Sequence, residues 1–270
     1  MSVRRTVART IRIRGRGLHS GSPVTLRIHP YDEGIVFRCG GESVRAHPGN
    51  VSGTFRATTL GGISTVEHLM SAFAAASVSG ALVELTAPEV PGLDGSAREF
   101  ADAIAEAGTS VLGPAPDRVA TGTVAVRRGP ASIVIRPGNG RWSCTLDLGD
   151  RWPGALTVRA TLPGEYAATV AWARTFVLAE EISRAQQAGL GGGLDSRSVV
   201  IIGPDGYANP VRAPDEPARH KLLDLIGDLW LAGVPLDLMD VTAIRPGHAT
   251  GVRAAALLAR RWPEEASADP

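Results

Sequence analysis

Pro217-Ala218-Arg219-His220-Lys221-Leu222-Leu223-Asp224-Leu225-Ile226-Gly227-Asp228-Leu229-Trp230-Leu231 is the stretch from which the architecture can be read. Leu222, Leu225, Ile226, Leu229 and Trp230 recur at helical spacing, so 217–231 is predicted as an amphipathic helix that lays one apolar stripe on a core. It is followed by Gly233, a predicted strand over 236–244, a turn at 245–248 and a closing helix over 250–260. The first half has the same order. A helix begins near Ser64, where Ser64-Thr65-Val66-Glu67 has capping-box spacing, and continues through Leu69, Phe73 and Ala76 towards Gly80. A strand over 81–85, a Pro- and Gly-rich loop ending in Asp94-Gly95-Ser96 and a helix over 97–107 come next.

Strand-like segments precede both helices. In the first half 3–13 alternates, and 24–28 and 34–38 are short and β-rich; in the second, 118–126, 132–135 and 142–148 read alike, with two more extended stretches leading to Arg174-Thr175-Phe176. The expectation is an α+β fold made by internal duplication: two similar βα sandwich domains, each packing helices on one face of a sheet. Residues 1–112 form the first domain, 113–117 (Gly113-Pro114-Ala115-Pro116-Asp117) a linker and 118–270 the second. The second copy carries an insertion over about 177–215 with its own helix, the run Gly191-Gly192-Gly193 and an apolar strand over 199–202. Such insertions commonly build a substrate-specific wall.

Composition narrows the function. With 270 residues, 44% of them hydrophobic, the chain can bury cores for two domains. A net charge of +1, with basic residues scattered along the chain, predicts a small-molecule partner and no nucleic acid. Cys39 and Cys144 lie far apart, which excludes a disulfide framework and a thiolate metal site, so any metal must use His and carboxylate. The N-terminus leads into no apolar leader and no stretch is long enough to span a bilayer; a cytoplasmic protein without membrane insertion is expected.

On the 217–231 helix His220, Asp224 and Asp228 follow i, i+4, i+8 and share a sector roughly 80° wide. The same spacing describes the solvated side of any amphipathic helix, so it becomes a metal site only with a third ligand. His68, on the corresponding helix of the first half, can supply one. Its neighbour Glu67 would then lie where a general base belongs, although a carboxylate there is also explained by helix capping. His19 and His248 sit in glycine-flanked turns, which present functional groups well but also leave histidines idle. Lys221 is the only lysine in a chain that otherwise uses arginine, and it adjoins His220.

Taken together, Gly17-Leu18-His19-Ser20-Gly21, Ser64-Thr65-Val66-Glu67-His68-Leu69, Pro91-Gly92-Leu93-Asp94-Gly95-Ser96, Ala173-Arg174-Thr175-Phe176, His220 to Asp228 and Gly247-His248-Ala249 resemble the UDP-3-O-acyl-N-acetylglucosamine deacetylases, zinc amidases of lipid A biosynthesis. The resemblance spans nearly the whole chain. It implies an active site between the two domains and one Zn2+ per chain, with Fe2+ as an alternative in the cell, held by His68, His220 and Asp224. It implies Glu67 as base, Thr175 as oxyanion donor, protonated His248 as acid supported by Asp228, and Lys221 in the site as both catalytic and substrate-binding residue. Leu18, His19, Phe176 and Lys221 would contact the acylated UDP-amino sugar, and Arg136 its diphosphate. A monomer is expected. The segment 191–198 departs from the family pattern: it is short and puts Arg197 and Ser198 near the acyl passage. That leaves room for a different acyl or amino-sugar nucleotide, or for a non-catalytic binding module on the same fold.

Overall fold

The computed structural model describes residues 3–115 and 121–263. The first half contains β1 (Val3–Val7), β2 (Ile11–Arg16), β3 (Pro23–His29), β4 (Ile35–Cys39), β5 (Glu42–Arg45), β6 (Val51–Gly53), β7 (Thr59–Leu60), α1 (Glu67–Ala75), β8 (Ala81–Leu85), α2 (Arg98–Ala107) and β9 (Thr109–Pro114). The second contains β10 (Val124–Arg128), β11 (Ala131–Pro137), β12 (Arg141–Asp147), β13 (Ala155–Thr161), α3 (Tyr166–Thr169), β14 (Phe176–Leu178), α4 (Ile182–Gln187), β15 (Val200–Ile202), α5 (Glu216–Trp230), β16 (Met239–Ile244) and α6 (His248–Arg261).

The duplication extends to topology. One five-stranded sheet runs β2-β3-β8-β4-β5 and the other β10-β11-β16-β12-β13. In each, an antiparallel hairpin is joined to a strand (β8 or β16) that pairs antiparallel on one side and parallel on the other. The fold is α+β, two βα sandwiches with their helices on the inner sheet faces. Alternation explains which face is which: Val24, Leu26 and Ile28 on β3, like Ile133 and Ile135 on β11, point inward and are buried.

The join between the halves is the α1–α5 crossing. Gly227 makes it close, because a Cβ there would run into the Glu67 carbonyl. That contact lets two core helices pass at backbone distance and puts the polar residues of both on one side of the join.

Several local expectations change. The alternating 3–13 segment is two strands broken at Ala8: β1 pairs with β9, whereas β2 enters the main sheet. Alternation reports a pleat but not the partner. Ser64 caps nothing; α1 starts at Glu67 after Val66, with no side-chain cap, and the Glu67 carboxylate is engaged elsewhere. Of the two extended stretches before Arg174, β13 is a strand and the other is the short helix α3. Within the expected linker, Gly113 and Pro114 pair with Arg4 and Val3, and residues 116 and 117 lie outside the described residues. Residues 118–120 of the predicted strand also lie outside them, and the strand itself is Val124–Arg128.

Candidate active site

His68 comes from the first turn of α1, and His220 and Asp224 come from adjacent turns of α5, where the i, i+4 spacing aligns them. All three are buried, and the two imidazole rings meet edge to face with centroids 5.0 Å apart. Asp224 Oδ1 lies 3.3 Å from His220 Nε2 and 3.6 Å from His68 Nε2. Its other oxygen, Oδ2, accepts a 2.7 Å bond from Lys221 Nζ.

The donor set fits a cation. His220 Nδ1 is 3.0 Å from the Ala173 carbonyl, which can only accept, so Nδ1 carries the proton there. Burial holds the ring neutral, its pKa pushed down to about 4. Nε2 and Asp224 Oδ1 therefore turn lone pairs towards each other, and Oδ1 has no hydrogen-bond partner despite its burial. Buried acceptors that face one another unpaired are costly, and a cation between them removes the cost. Separations of 3.3 and 3.6 Å are close to the edge of a tetrahedron drawn by ligand bonds of about 2.0–2.1 Å. Burial opposes the Asp224 charge, but His220 and Lys221 outweigh it and hold the carboxyl well below its ordinary range. Lys221 is half-buried, and the desolvation that opposes its charge is more than offset by the adjoining Asp224, so its pKa is raised.

A second group adjoins the first. Glu67 Oε1 is 3.8 Å from His248 Nε2, and His248 Nδ1 is 3.2 Å from Asp228 Oδ2. Burial is the main cause that raises the Glu67 pKa, with the neighbouring histidines pulling it back. For His248 burial works against the charge, but Asp228 and then Glu67 prevail and lift the pKa to about 9. At neutral pH the ring is an imidazolium held between two carboxyl groups. It opens α6, two residues earlier than the start expected at 250, and Gly251 clears the way: a Cβ there would press on Asp228.

Thr58 was not singled out from the sequence. Fully buried, it donates its hydroxyl to Asp228 Oδ1 at 2.5 Å and its backbone N–H to Glu67 Oε2 at 3.0 Å, so one residue holds both carboxylates. Nothing in the pair Thr58-Thr59 signals this, because the partners are remote in sequence.

The surrounding loops account for the glycine motifs. The buried Glu89 carboxylate accepts from His19 N at 2.6 Å and Ser20 N at 2.9 Å, fixing the loop that carries Leu18 and His19. Gly192 and Gly193 bond that loop's carbonyls from the insertion, at a distance no side chain would permit. Arg174 forms a buried pair with Glu216, Nε to Oε1 at 2.8 Å, and thereby anchors Thr175 and Phe176 beside the start of α5. Asp94 binds Arg212 at 2.8 Å, so the Pro91–Ser96 motif docks the insertion.

These elements enclose a cavity of about 380 Å³ lined by Leu18, His19, Glu67, His68, Thr175, Phe176, His220, Lys221, Asp224 and His248, among others. Both ring nitrogens of His19 are buried without a partner, and burial lowers its pKa. Asp228 stands behind His248. Arg136 is not brought to the cavity. Ala131 lines it at the start of β11, but Arg136 lies five residues along the strand, roughly 17 Å away, exposed and opposite Asp240. The guanidinium groups at the cavity belong to Arg56, Arg128 and Arg245. Arg197 and Ser198 do not line it either: Ser198 folds back on Asp195.

The sequence profile of the UDP-3-O-acyl N-acetylglycosamine deacetylase family matches residues 4–260. Among similar proteins named UDP-3-O-acyl-N-acetylglucosamine deacetylase, that of Anaeromyxobacter dehalogenans is 39% identical over 264 residues, covering 91% of this chain and 83% of the relative. Its counterpart in a Nostoc species is 37% identical, with coverages of 84% and 88%, and that of Neisseria gonorrhoeae is 34% identical, with coverages of 87% and 83%.

Proposed function

Because the chain belongs to the UDP-3-O-acyl N-acetylglycosamine deacetylase family, we propose that it hydrolyses the N-acetyl group of a UDP-3-O-acyl-N-acetylglucosamine, releasing acetate and the free amine, as a zinc-dependent step of lipid A biosynthesis. The observation that carries this reading is the unpartnered Asp224 Oδ1 facing the lone pair of His220 beside His68. Those three residues would hold one Zn2+, for which Fe2+ could substitute, since imidazole and carboxylate suit both. When bound, the ion supplies Lewis acidity that polarises the amide carbonyl and acidifies water.

The chain's own residues do the rest. Glu67, with its raised pKa, takes a proton from the attacking water as the water oxygen bonds to the acetamide carbon. The Thr175 hydroxyl at the cavity wall donates to the oxygen that gains charge. As the C–N bond breaks, the His248 imidazolium gives a proton to the departing nitrogen, while Asp228 holds the ring's orientation. Lys221 fixes Asp224 and adds positive charge. Leu18, His19 and Phe176 bound the sugar and acyl end, and Arg128 and Arg245 replace Arg136 as partners for the diphosphate. We place the enzyme in the cytoplasm as a monomer; among the described residues no helix is long and apolar enough to cross a membrane.

The test is acetate release from the authentic UDP-sugar. Activity abolished by a chelator and restored by zinc is expected. Protein that binds the nucleotide sugar with its metal in place but releases no acetate would instead be the binding module on this fold.

A further inference from the structure

The arginines that look scattered in the sequence converge on one surface. On the outer face of the first sheet, alternation projects Arg12, Arg14 and Arg16 from β2, Arg27 from β3 and Arg38 from β4, all exposed, because Ile11 and Ile13, Leu26 and Ile28, and Phe37 take the inner face. Among the described strand residues one carboxylate shares that face, directly opposite Arg27 in the β3–β8 register. Glu84 of β8 lies between Arg38, at 3.3 Å, and His29, at 3.1 Å. Arg16 bonds the Gly21 carbonyl, while Arg12, Arg14 and Arg27 have no side-chain partner among the described residues. Arg12 and Arg27 are directly opposed across the β2–β3 register, a like-charge pairing that weakens a sheet. The corresponding face of the second sheet is less concentrated: Arg127, Arg136, Arg141 and Arg159 share it with Asp147 and with Asp240, which pairs with Arg141 and lies opposite Arg136, and Ser132, Ser143, Thr145, Thr157 and Thr242 separate the charges.

We infer that this arginine face is a docking surface for an anionic phospholipid bilayer. An unneutralised charge cluster on a chain of net charge +1 calls for a partner of opposite sign. Among its described strand residues the face has no Phe, Tyr or Trp on which bases could stack, as a single-stranded nucleic-acid platform requires, and its one imidazole, His29, is held between Glu84 and Thr10. Its apolar members, Val36 and Leu82, are half-buried, so it lacks the projecting anchors of a protein interface. Diffuse positive charge on long side chains without an apolar centre matches the diffuse negative charge of lipid headgroups, which attract each nearby Arg or Lys within a Debye length. The surface also leads to the cavity: Arg16 is followed immediately by Gly17, Leu18 and His19, which carry β2 into the cavity wall. Docking would therefore hold the cavity rim close to the headgroups. This surface is separate from the catalytic groups, and its failure would leave the deacetylase reading intact.

The experiment is cosedimentation of the full chain with vesicles of phosphatidylcholine, with and without about one-third phosphatidylglycerol. Binding to the anionic vesicles alone is expected, and raising the salt should release it as the Debye length contracts from about 8 Å to about 3 Å. The triple substitution Arg12→Gln, Arg14→Gln, Arg27→Gln should weaken binding on the order of a hundredfold. Removing the same charge elsewhere, by Arg127→Gln, Arg159→Gln and Arg253→Gln, should change it by less than about threefold, which separates the patch from net charge. Equal pelleting with neutral vesicles, salt-insensitive binding, or equal losses from the two triple variants would overturn the inference. Displacement from vesicles by a trace of oligothymidylate would overturn it in favour of nucleic acid. Should the first triple variant not fold, the lipid and salt dependence of the unaltered protein still decides.

Discussion

The two halves share one sheet order and one sequence of strand directions, yet they divide the chemistry unequally. From the first, α1 contributes Glu67 and His68; from the second, α5 contributes His220, Asp224 and Asp228, and α6 contributes His248. The equivalent start of α2 is occupied by Ser96 and Asp94, which bond each other and dock Arg212. Duplication thus supplies the scaffold, and the site forms where the two repeats meet because neither carries a full donor set. The outer faces diverged in the same way, one rich in adjoining unpaired arginines and the other with its arginines spaced by carboxylates and hydroxyls.

The largest test of this division is Glu67→Gln. It removes the carboxylate proposed as base and should lower kcat by about 10²- to 10⁴-fold with metal content unchanged, by steady-state assay and metal analysis. Retained turnover would take the base out of the first half. Next is the crossing itself. Gly227→Ala forces a methyl group against the Glu67 carbonyl, so we expect a loss of about 1–3 kcal/mol in urea unfolding and weaker metal binding as His68 moves from Asp224. An unaltered midpoint would mean that the helices need not approach so closely.

The second half's acid can be tested by pH. The folded pKa of His248 is raised to about 9 against an ordinary value of 6.5. The stabilisation from its charged form is therefore complete below about 6.5 and lost as pH rises through about 9. A rate that needs the imidazolium should have its alkaline limb near 9, and Asp228→Asn should move that limb towards neutrality. An unmoved limb would assign it to another group. The smallest effect separates two arginines: Arg245→Gln should raise KM roughly tenfold, whereas Arg136→Gln should leave it nearly unchanged. The reverse pattern would restore Arg136 to the diphosphate.

Much of this was legible from the chain because helical spacing is local. His220 and Asp224 align through their own helix, and the repeated order of helix, glycine, strand, loop and helix exposes the duplication. What escaped depends on distant partners. Thr58 meets Asp228 and Glu67 only after α1 and α5 cross, and the alternating 3–13 segment cannot disclose that its ends belong to different sheets. Arg136 was a plausible phosphate ligand by position, yet the strand carries it away from the cavity that Ala131 borders. The arginine face escaped for the same reason, since its members lie on three strands.

The most direct measurement is metal content with the coordination shell of the purified protein, by elemental analysis and X-ray absorption. The account predicts one divalent ion per chain bound by two imidazole nitrogens and a carboxylate oxygen, and its loss from both His68→Ala and Asp224→Ala. An ion retained at full stoichiometry in both variants would contradict a centre shared by the two halves.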